Sequence, residues 1–138
     1  MTTQHTLAII KPTAAAQGHI GDIITCIEQD GFRIKALKML KLSPEEGKSF
    51  YKVHAQRPFF EELYNYIASG DVIVMALEKE NAVESFRELI GATDPLQAAP
   101  HTIRKKFGVS IGENAIHGSD SPENAKQEIS FFFPRKGW

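Results

Sequence analysis

Apolar positions along the chain follow two spacings, one typical of strands and one typical of helices. Short unbroken apolar runs at residues 7–10 and 72–77 predict strands that are buried on both faces. Apolar and charged residues alternate from 32 to 36 and then shift phase, which predicts a long strand with a bulge or twist near a sheet edge. Residues 115–117 are expected to form a fourth, short strand.

Helices are indicated by apolar spacing and by start and stop signals. Isoleucines at 20, 23, 24 and 27 recur at the spacing of an amphipathic helix, and Gly31 supplies its C-terminal turn. Ser43-Pro44-Glu45-Glu46 predicts a capping box with proline in the first helical position. Further helices are expected to begin at Arg57-Pro58, at Asn81 with Glu84 as a second capping box, near Thr102, and at Ser121-Pro122.

The order of these elements predicts an α+β fold. The elements follow one another as strand, helix, strand, helices, strand, helix, loop, strand and helix. This order matches a ferredoxin-like βαββαβ core, an antiparallel four-stranded sheet with helices on one face. A length of 138 residues suits one domain spanning residues 1–138. The irregular segment from Gly91 to Gly112 is interrupted by prolines, and such a segment in a small domain is more often functional than idle.

Composition narrows the classes of function. With 42% hydrophobic and 24% charged residues the chain is globular, and its net charge of −1 makes nucleic acid an unlikely partner. Cys26 is the only cysteine, so no internal disulfide can form and a reducing cytoplasmic setting fits best. The longest apolar run, 72–77, is far shorter than the ~18 residues that span a membrane, so we expect a cytoplasmic protein without a membrane segment.

His117 stands apart among the five histidines because it ends an apolar strand. Gly118 is expected to let the backbone turn sharply, and the helix after Ser121 offers unpaired N–H groups to an anion. Glu128 could point back from that helix, fix the tautomer of the imidazole and leave one ring nitrogen as a nucleophile. From these residues alone, a structural role for His117 is equally open. Solvated or hydrogen-bonded side chains are expected for the remaining histidines, His5, His19, His54 and His101.

Several separated motifs resemble those of one enzyme family. Residues 114–121, Asn-Ala-Ile-His-Gly-Ser-Asp-Ser, resemble the active-site signature of nucleoside diphosphate kinases. The family's other motifs are matched in order by Thr6 to Pro12, Arg57-Pro58-Phe59-Phe60, Ser69-Gly70, Gly91 to Pro95 and Thr102-Ile103-Arg104. The resemblance implies a Mg²⁺-dependent enzyme that moves the γ-phosphoryl group of ATP or another nucleoside triphosphate to a histidine, and from there to a nucleoside diphosphate.

The resemblance also implies a role for individual residues. His117 would carry the phosphoryl group on its pros nitrogen, with Lys11, Tyr51, Ser119 and Glu128 as its catalytic neighbours. The nucleotide would be bound by Arg87, Thr93 and Arg104 at the phosphates, by Lys11 and Asn114 at the sugar, and by Phe59 and Ile111 on either side of the base. Mg²⁺ would be held mainly by the phosphates, with no protein ligand assigned.

Each of these residues has an ordinary structural alternative when it is taken singly. Phe59 could be a core residue of an amphipathic helix and Tyr51 an aromatic residue on a helix face, while Lys11 and Arg87 could be surface cations. Two rival functions also stay open: a regulatory or nucleic-acid-binding relative that has lost turnover, and a structural subunit that binds no nucleotide.

Two positions depart from the family pattern. Thr13 follows Lys11-Pro12 where an acidic residue or asparagine is usual, and we expect its hydroxyl to act as a helix cap. His101 stands where glycine is usual. If that position needs a positive φ, His101 would strain the loop by about 1–3 kcal/mol or force another conformation. Two sheet edges and the aromatic residues 131–133 and Trp138 favour a homo-oligomer, either a tetramer or a hexamer.

Overall fold

The computed structural model describes residues 3–134 and 138. Its elements are β1 (Thr3–Ile10), α1 (Pro12–Ala16), α2 (Ile20–Gln29), β2 (Arg33–Leu40), α3 (Pro44–Phe50), a 3-10 turn (Lys52–His54), α4 (Phe60–Ile67), β3 (Val72–Glu80), α5 (Ala82–Ile90), α6 (Ile103–Phe107), β4 (Ile116–Gly118) and α7 (Pro122–Phe132). The strands form an antiparallel sheet in the order β2-β3-β1-β4. The predicted ferredoxin-like fold is confirmed.

The central strands β1 and β3 bury both of their faces, as their apolar runs predict. Because successive side chains of a strand point to opposite faces, β1 supplies Leu7 and Ile9 to one core and Ala8 and Ile10 to the other. All four of these side chains are fully buried. The sheet therefore separates two apolar cores, and both of them depend on β1.

Helices cover both faces of the sheet. The two crossover helices of the βαββαβ unit, α2 and α5, pack on one face through residues such as Ile23 and Phe86, in agreement with the prediction. The opposite face is covered by α3, α4 and α7, which contribute Phe50, Ile67 and Ile129 to the second core. The prediction placed helices on one face only, and this second layer of helices corrects it.

β2 lies at one edge of the sheet, where the sequence predicted a strand with a bulge. Its register against β3 shifts between Ile34 and Ala36. Beyond the shift, Leu37 and Met39 are 48% and 58% exposed. The edge strand therefore presents apolar side chains to solvent.

One of the two predicted capping boxes forms. Ser43 and Glu46 cap α3 reciprocally. The box predicted at Asn81 is wrong, because Asn81 is left-handed, with a φ of 49°, and its side chain makes no cap bond. N-cap side chains act from extended backbone, and the N–H of Val83 instead donates to Oε1 of Gln4 at 3.2 Å.

The C-terminal aromatic residues are less exposed than expected. Phe132 belongs to the second core, whereas Phe131 is 38% exposed. The indole N–H of Trp138 donates to the carbonyl of Phe133 at 2.8 Å, and its ring meets that of His5 edge-on. Throughout the described part of the chain, no helix combines the length and the apolar character needed to cross a membrane.

Candidate active site

His117 lies in β4, directly opposite Ile9 of the buried strand β1. Its Nε2 is 2.9 Å from Oε1 of Glu128 on α7. An ionised carboxylate only accepts hydrogen bonds, so Nε2 carries the ring proton and Nδ1 keeps its lone pair. The contact that the sequence suggested between strand and helix is therefore present, and it leaves the pros nitrogen free.

Ser119 also binds the carboxylate of Glu128. Its hydroxyl donates to the same Oε1 at 2.7 Å and accepts the backbone N–H of Leu7 at 3.2 Å. The histidine, the glutamate and the serine therefore form one chain of hydrogen bonds that is anchored to β1.

Aromatic rings from α3 and the residue after it flank the imidazole. The ring of Phe50 lies 5.5 Å from that of His117 and nearly perpendicular to it, and the ring of Tyr51 lies 6.4 Å away. Tyr51 is 4% exposed. Burial raises the pKa of Tyr51, and the charge of Glu128 raises it further, so the phenol stays protonated at neutral pH.

Gly118 does not provide the sharp turn that the sequence suggested, because the positive-φ glycines of the described chain are Gly18, Gly31 and Gly91. A methyl group at Gly118 would lie 2.8 Å from Cδ2 of Phe86. The glycine therefore allows β4 to pack closely against α5.

The left-handed residue near the histidine is instead Ala115, with a φ of 81°. A non-glycine residue in this region costs about 1–2 kcal/mol. Ala115 is buried, and its carbonyl accepts the backbone N–H of Lys11 at 2.8 Å. The surrounding contacts therefore hold a strained backbone two residues before His117.

Lys11 lies at the end of β1 and is only 6% exposed, so it is not a surface lysine. Its ammonium group donates to Oδ1 of Asn114 at 2.9 Å, and the Asn114 amide donates to the carbonyl of Thr93 at 3.1 Å. Burial, assisted by the charge of Arg104, lowers the pKa of Lys11 to about 7. Three of the predicted nucleotide-binding residues thus meet in one hydrogen-bonded group.

Arg104 connects the irregular loop to the histidine strand. Its guanidinium donates to the carbonyls of Gly91 and Ile116, both at 3.0 Å, and its Nε is buried without a hydrogen-bond partner among the described residues. Burial, and then the charge of Arg87, lowers the pKa of Arg104 to about 10, so it stays charged at neutral pH. Arg87 itself is exposed on α5.

Phe59 and Ile111 are the two apolar residues that the resemblance assigns to the base. They are 69% and 59% exposed. Phe60, not Phe59, packs against the second core, which contradicts the alternative of a core role for Phe59. Both side chains are therefore exposed to solvent, where a ligand can reach them.

His54 belongs to the same region, although a solvated or hydrogen-bonded side chain was expected for it. Its ring centroid lies 6.2 Å from that of Tyr51, and its Nδ1 is buried without a hydrogen-bond partner in the described part of the chain. Burial and the charge of Arg57 lower the pKa of His54, an effect that Asp120 opposes. The spacing of Tyr51 and His54, three residues apart on helical backbone, was the available signal.

The two departures from the family pattern behave differently from their predictions. His101 is exposed and is not among the positive-φ residues of the described chain, so of the two expected outcomes, strain or another conformation, the strain is absent. Thr13 is not a helix cap, because Lys11 occupies the N-cap of α1. The Thr13 hydroxyl instead bonds to Glu113 and Tyr66.

The described residues do not build a metal cage. Over residues 3–134 and 138, no group of three or more His, Cys, Asp or Glu side chains converges on one point. A divalent cation at this site would take most of its ligands from a bound polyphosphate, whose oxygens are the ligands that Mg²⁺ prefers.

Comparisons with known proteins show the family of the chain. A family model described as "Nucleoside diphosphate kinase" matches residues 4–137. The nucleoside diphosphate kinase of Chlamydia abortus is 56% identical over 132 residues, which cover 96% of this chain and 94% of the relative. That of Chlamydia trachomatis serovar D is 54% identical with the same coverage.

Solved structures show the same likeness. The crystal structure of the Aquifex aeolicus nucleoside diphosphate kinase has a TM-score of 0.94 at 48% identity, covering 96% of both chains. That of the Encephalitozoon cuniculi nucleoside diphosphate kinase has a TM-score of 0.92 at 37% identity, covering 96% of this chain and 90% of the other. The chain belongs to the nucleoside diphosphate kinase family.

Proposed function

We propose that this protein transfers the γ-phosphoryl group of a nucleoside triphosphate such as ATP to a nucleoside diphosphate, through a phosphohistidine at His117. The observation that carries the proposal is the 2.9 Å bond between Nε2 of His117 and Glu128, which leaves Nδ1 as the nucleophilic nitrogen.

The first half-reaction forms one bond and breaks one. The Nδ1 lone pair attacks the γ-phosphorus, and the bond to the β,γ-bridging oxygen breaks so that the nucleoside diphosphate leaves with that electron pair. The ring becomes positively charged, and the carboxylate of Glu128 stabilises it while Ser119 keeps the carboxylate in place. A second nucleoside diphosphate then reverses these steps. Tyr51 supports the ring from one side.

Positive charge converges on the proposed phosphate site. Lys11, Arg87 and Arg104 supply it. The pKa values of Lys11 and Arg104 are lowered chiefly by burial, and the charges of Arg104 and Arg87, respectively, add to the effect. Phosphoryl transfer depends mainly on positioning and on charge stabilisation of the phosphoryl oxygens. Thr93 would add a hydrogen bond there. Mg²⁺ would arrive with the nucleotide and neutralise part of its phosphate charge.

The nucleoside would be held by a second set of residues, which shares Lys11 with the phosphate site. Lys11 and Asn114 are proposed to bind the sugar hydroxyls, and the exposed side chains of Phe59 and Ile111 to contact the two faces of the base. Stacking on a ring face does not depend on a donor or acceptor pattern, so we expect broad tolerance for the base.

We further propose one domain over residues 1–138 that acts in the cytoplasm as a homo-oligomer. The exposed Leu37 and Met39 on the edge strand β2 support self-association, because an unpaired apolar edge gains from being covered. Sedimentation analysis would distinguish a tetramer from a hexamer.

The proposal is tested by incubating the protein with Mg²⁺ and γ-labelled ATP without an acceptor. We expect label that is stable in base, labile in acid and discharged by added GDP. His117→Ala should abolish the label, whereas the matched change His101→Ala, at an exposed histidine, should not. A wild-type protein that binds ATP without becoming labelled, or label that persists in folded His117→Ala, would overturn the proposal.

A further inference from the structure

A cluster of three hydrogen-bonded side chains, Thr13, Tyr66 and Glu113, lies beside the Lys11–Asn114 pair and has no part in the chemistry above. The Thr13 hydroxyl donates to Oε1 of Glu113. The Tyr66 hydroxyl donates to Oγ1 of Thr13 at 2.8 Å and accepts the backbone N–H of Thr13 at 3.2 Å. Each hydroxyl therefore both donates and accepts within the cluster.

The hydrogen bonds of the cluster have a single direction. Glu113 is the last member of this series of hydrogen bonds. Its ionised carboxylate can only accept a hydrogen bond, so the proton of the Thr13 hydroxyl must point to it. The only position left for the Tyr66 proton is then towards Thr13. Burial raises the pKa of Tyr66, so the phenol keeps that proton at neutral pH.

Each member of the cluster adjoins a different part of the proposed nucleotide site. Thr13 follows Lys11 by two residues, and Glu113 directly precedes Asn114. Tyr66 is on α4, seven residues after Phe59, a spacing that returns to the same side of a helix. The cluster is thus a side-chain connection between α4 and the two segments that carry the lysine and the asparagine.

Glu113 also closes the turn that carries Ile111. Its carbonyl accepts the backbone N–H of Val109 at 2.8 Å, and its own N–H donates to the hydroxyl of Ser110 at 3.2 Å. Through Tyr66 and Glu113, the cluster therefore connects the helix that begins beside Phe59 with the turn that presents Ile111.

We propose that the Thr13–Tyr66–Glu113 cluster is a positioning device for the nucleoside, which holds Phe59 and Ile111 at a fixed separation. The inference rests on the proposed function and deepens it. Because the phosphates are assigned chiefly to Arg87, Thr93 and Arg104, loss of the cluster should weaken binding of the nucleoside part and spare binding of the polyphosphate part.

The test compares two ligands on full-length variants. Tyr66→Phe and Thr13→Val each remove one hydroxyl with little change in shape. Tyr64→Phe, on the same helix, is the matched control, and Thr13→Ser restores the hydroxyl. Binding of GDP and of inorganic tripolyphosphate is measured by calorimetry, alongside KM and kcat for transfer between ATP and GDP.

We expect both hydroxyl deletions to raise the Kd and KM for GDP about five- to tenfold, the loss of about one neutral hydrogen bond. The Kd for tripolyphosphate and the kcat should stay within about twofold, Thr13→Ser should recover wild-type values, and Tyr64→Phe should match wild type. The double variant should lose no more affinity than either single variant, since both changes break one chain of bonds.

Two results would overturn the inference while leaving the proposed function intact. One is wild-type GDP affinity in both deletions, and the other is an equal loss of affinity for GDP and tripolyphosphate, the mark of a merely structural role. A wild-type protein that is not labelled by ATP would instead refute the proposed function, and the inference would fall with it.

Discussion

Replacing Lys11 with methionine should change how the stability of the protein depends on pH. The methionine side chain has a similar length but carries no charge. In the folded chain the pKa of Lys11 falls from 10.5 to about 7, chiefly through burial. Each pKa unit corresponds to about 1.4 kcal/mol, so keeping this ammonium protonated inside the fold costs about 5 kcal/mol.

This cost is present only where the folded chain still carries the proton. Below pH 7 both states are protonated, so the full cost applies and Lys11→Met should be more stable than wild type. Between pH 7 and 10.5 the unfolded chain binds the proton and the folded chain has released it, so the free energy of unfolding of wild type rises with pH. From pH 7 to 9 the difference between wild type and variant should shift by about 2–3 kcal/mol in favour of wild type.

Urea titrations at pH 6, 7.5 and 9, at one protein concentration, measure this difference. Lys126→Met is the control, because Lys126 is exposed on α7 and should produce no shift over this range. If the difference between wild type and Lys11→Met is the same at all three pH values, the burial argument for Lys11 is refuted.

Three further changes test other parts of the structure. Glu128→Gln keeps an acceptor for His117 but removes the charge, so phosphohistidine formation should slow about tenfold in rapid-quench experiments, and an unchanged rate would remove Glu128 from the site. Gly91→Ala places a methyl group 2.6 Å from Thr102 on backbone with a φ of 89°. Urea titration should therefore show that the free energy of unfolding falls by more than about 2 kcal/mol. A fall of less than about 0.5 kcal/mol would contradict the close packing of Gly91 against Thr102. His101→Gly relieves no strain and should cost about 0.4–1 kcal/mol through the entropy of the unfolded chain, whereas a gain in stability would show that strain exists.

The central sheet was predictable because its signals are local. Residues 7–10 and 72–77 are apolar at every position, and the phase shift after residue 36 marks the irregular edge strand. The second layer of helices was not predicted, because the spacing of apolar residues in α3 and α4 shows that these helices bury a face but not which side of the sheet they cover. That choice depends on contacts distant in sequence.

In the candidate site, too, local signals predicted some features, whereas features that depend on contacts distant in sequence were missed. The pairing of His117 with Glu128 follows from a strand end and a capped helix, and both are visible in the sequence. The left-handed backbone at Ala115 has no signal, since alanine gives no indication of a positive φ. The predicted role of Gly118 was wrong, because a glycine is needed there to make room for the Phe86 ring on a separate helix. No local sequence pattern encodes that contact.

The dependence of both cores on β1 has a consequence for motion. Ala8, Ile9 and Ile10 of β1 lie between two neighbouring strands, and the side chains of β1 fill the cores on both faces, so we expect hydrogen exchange at these three residues to require global unfolding. The segment from Gly91 to Gly112 contains one short helix and no strand of the sheet, so its amides should exchange through local openings. His117 lies on the short edge strand β4 and pairs with Ile9 of β1, so the proposed nucleophile would be anchored to the slowest-exchanging strand while the proposed phosphate-binding loop opens locally.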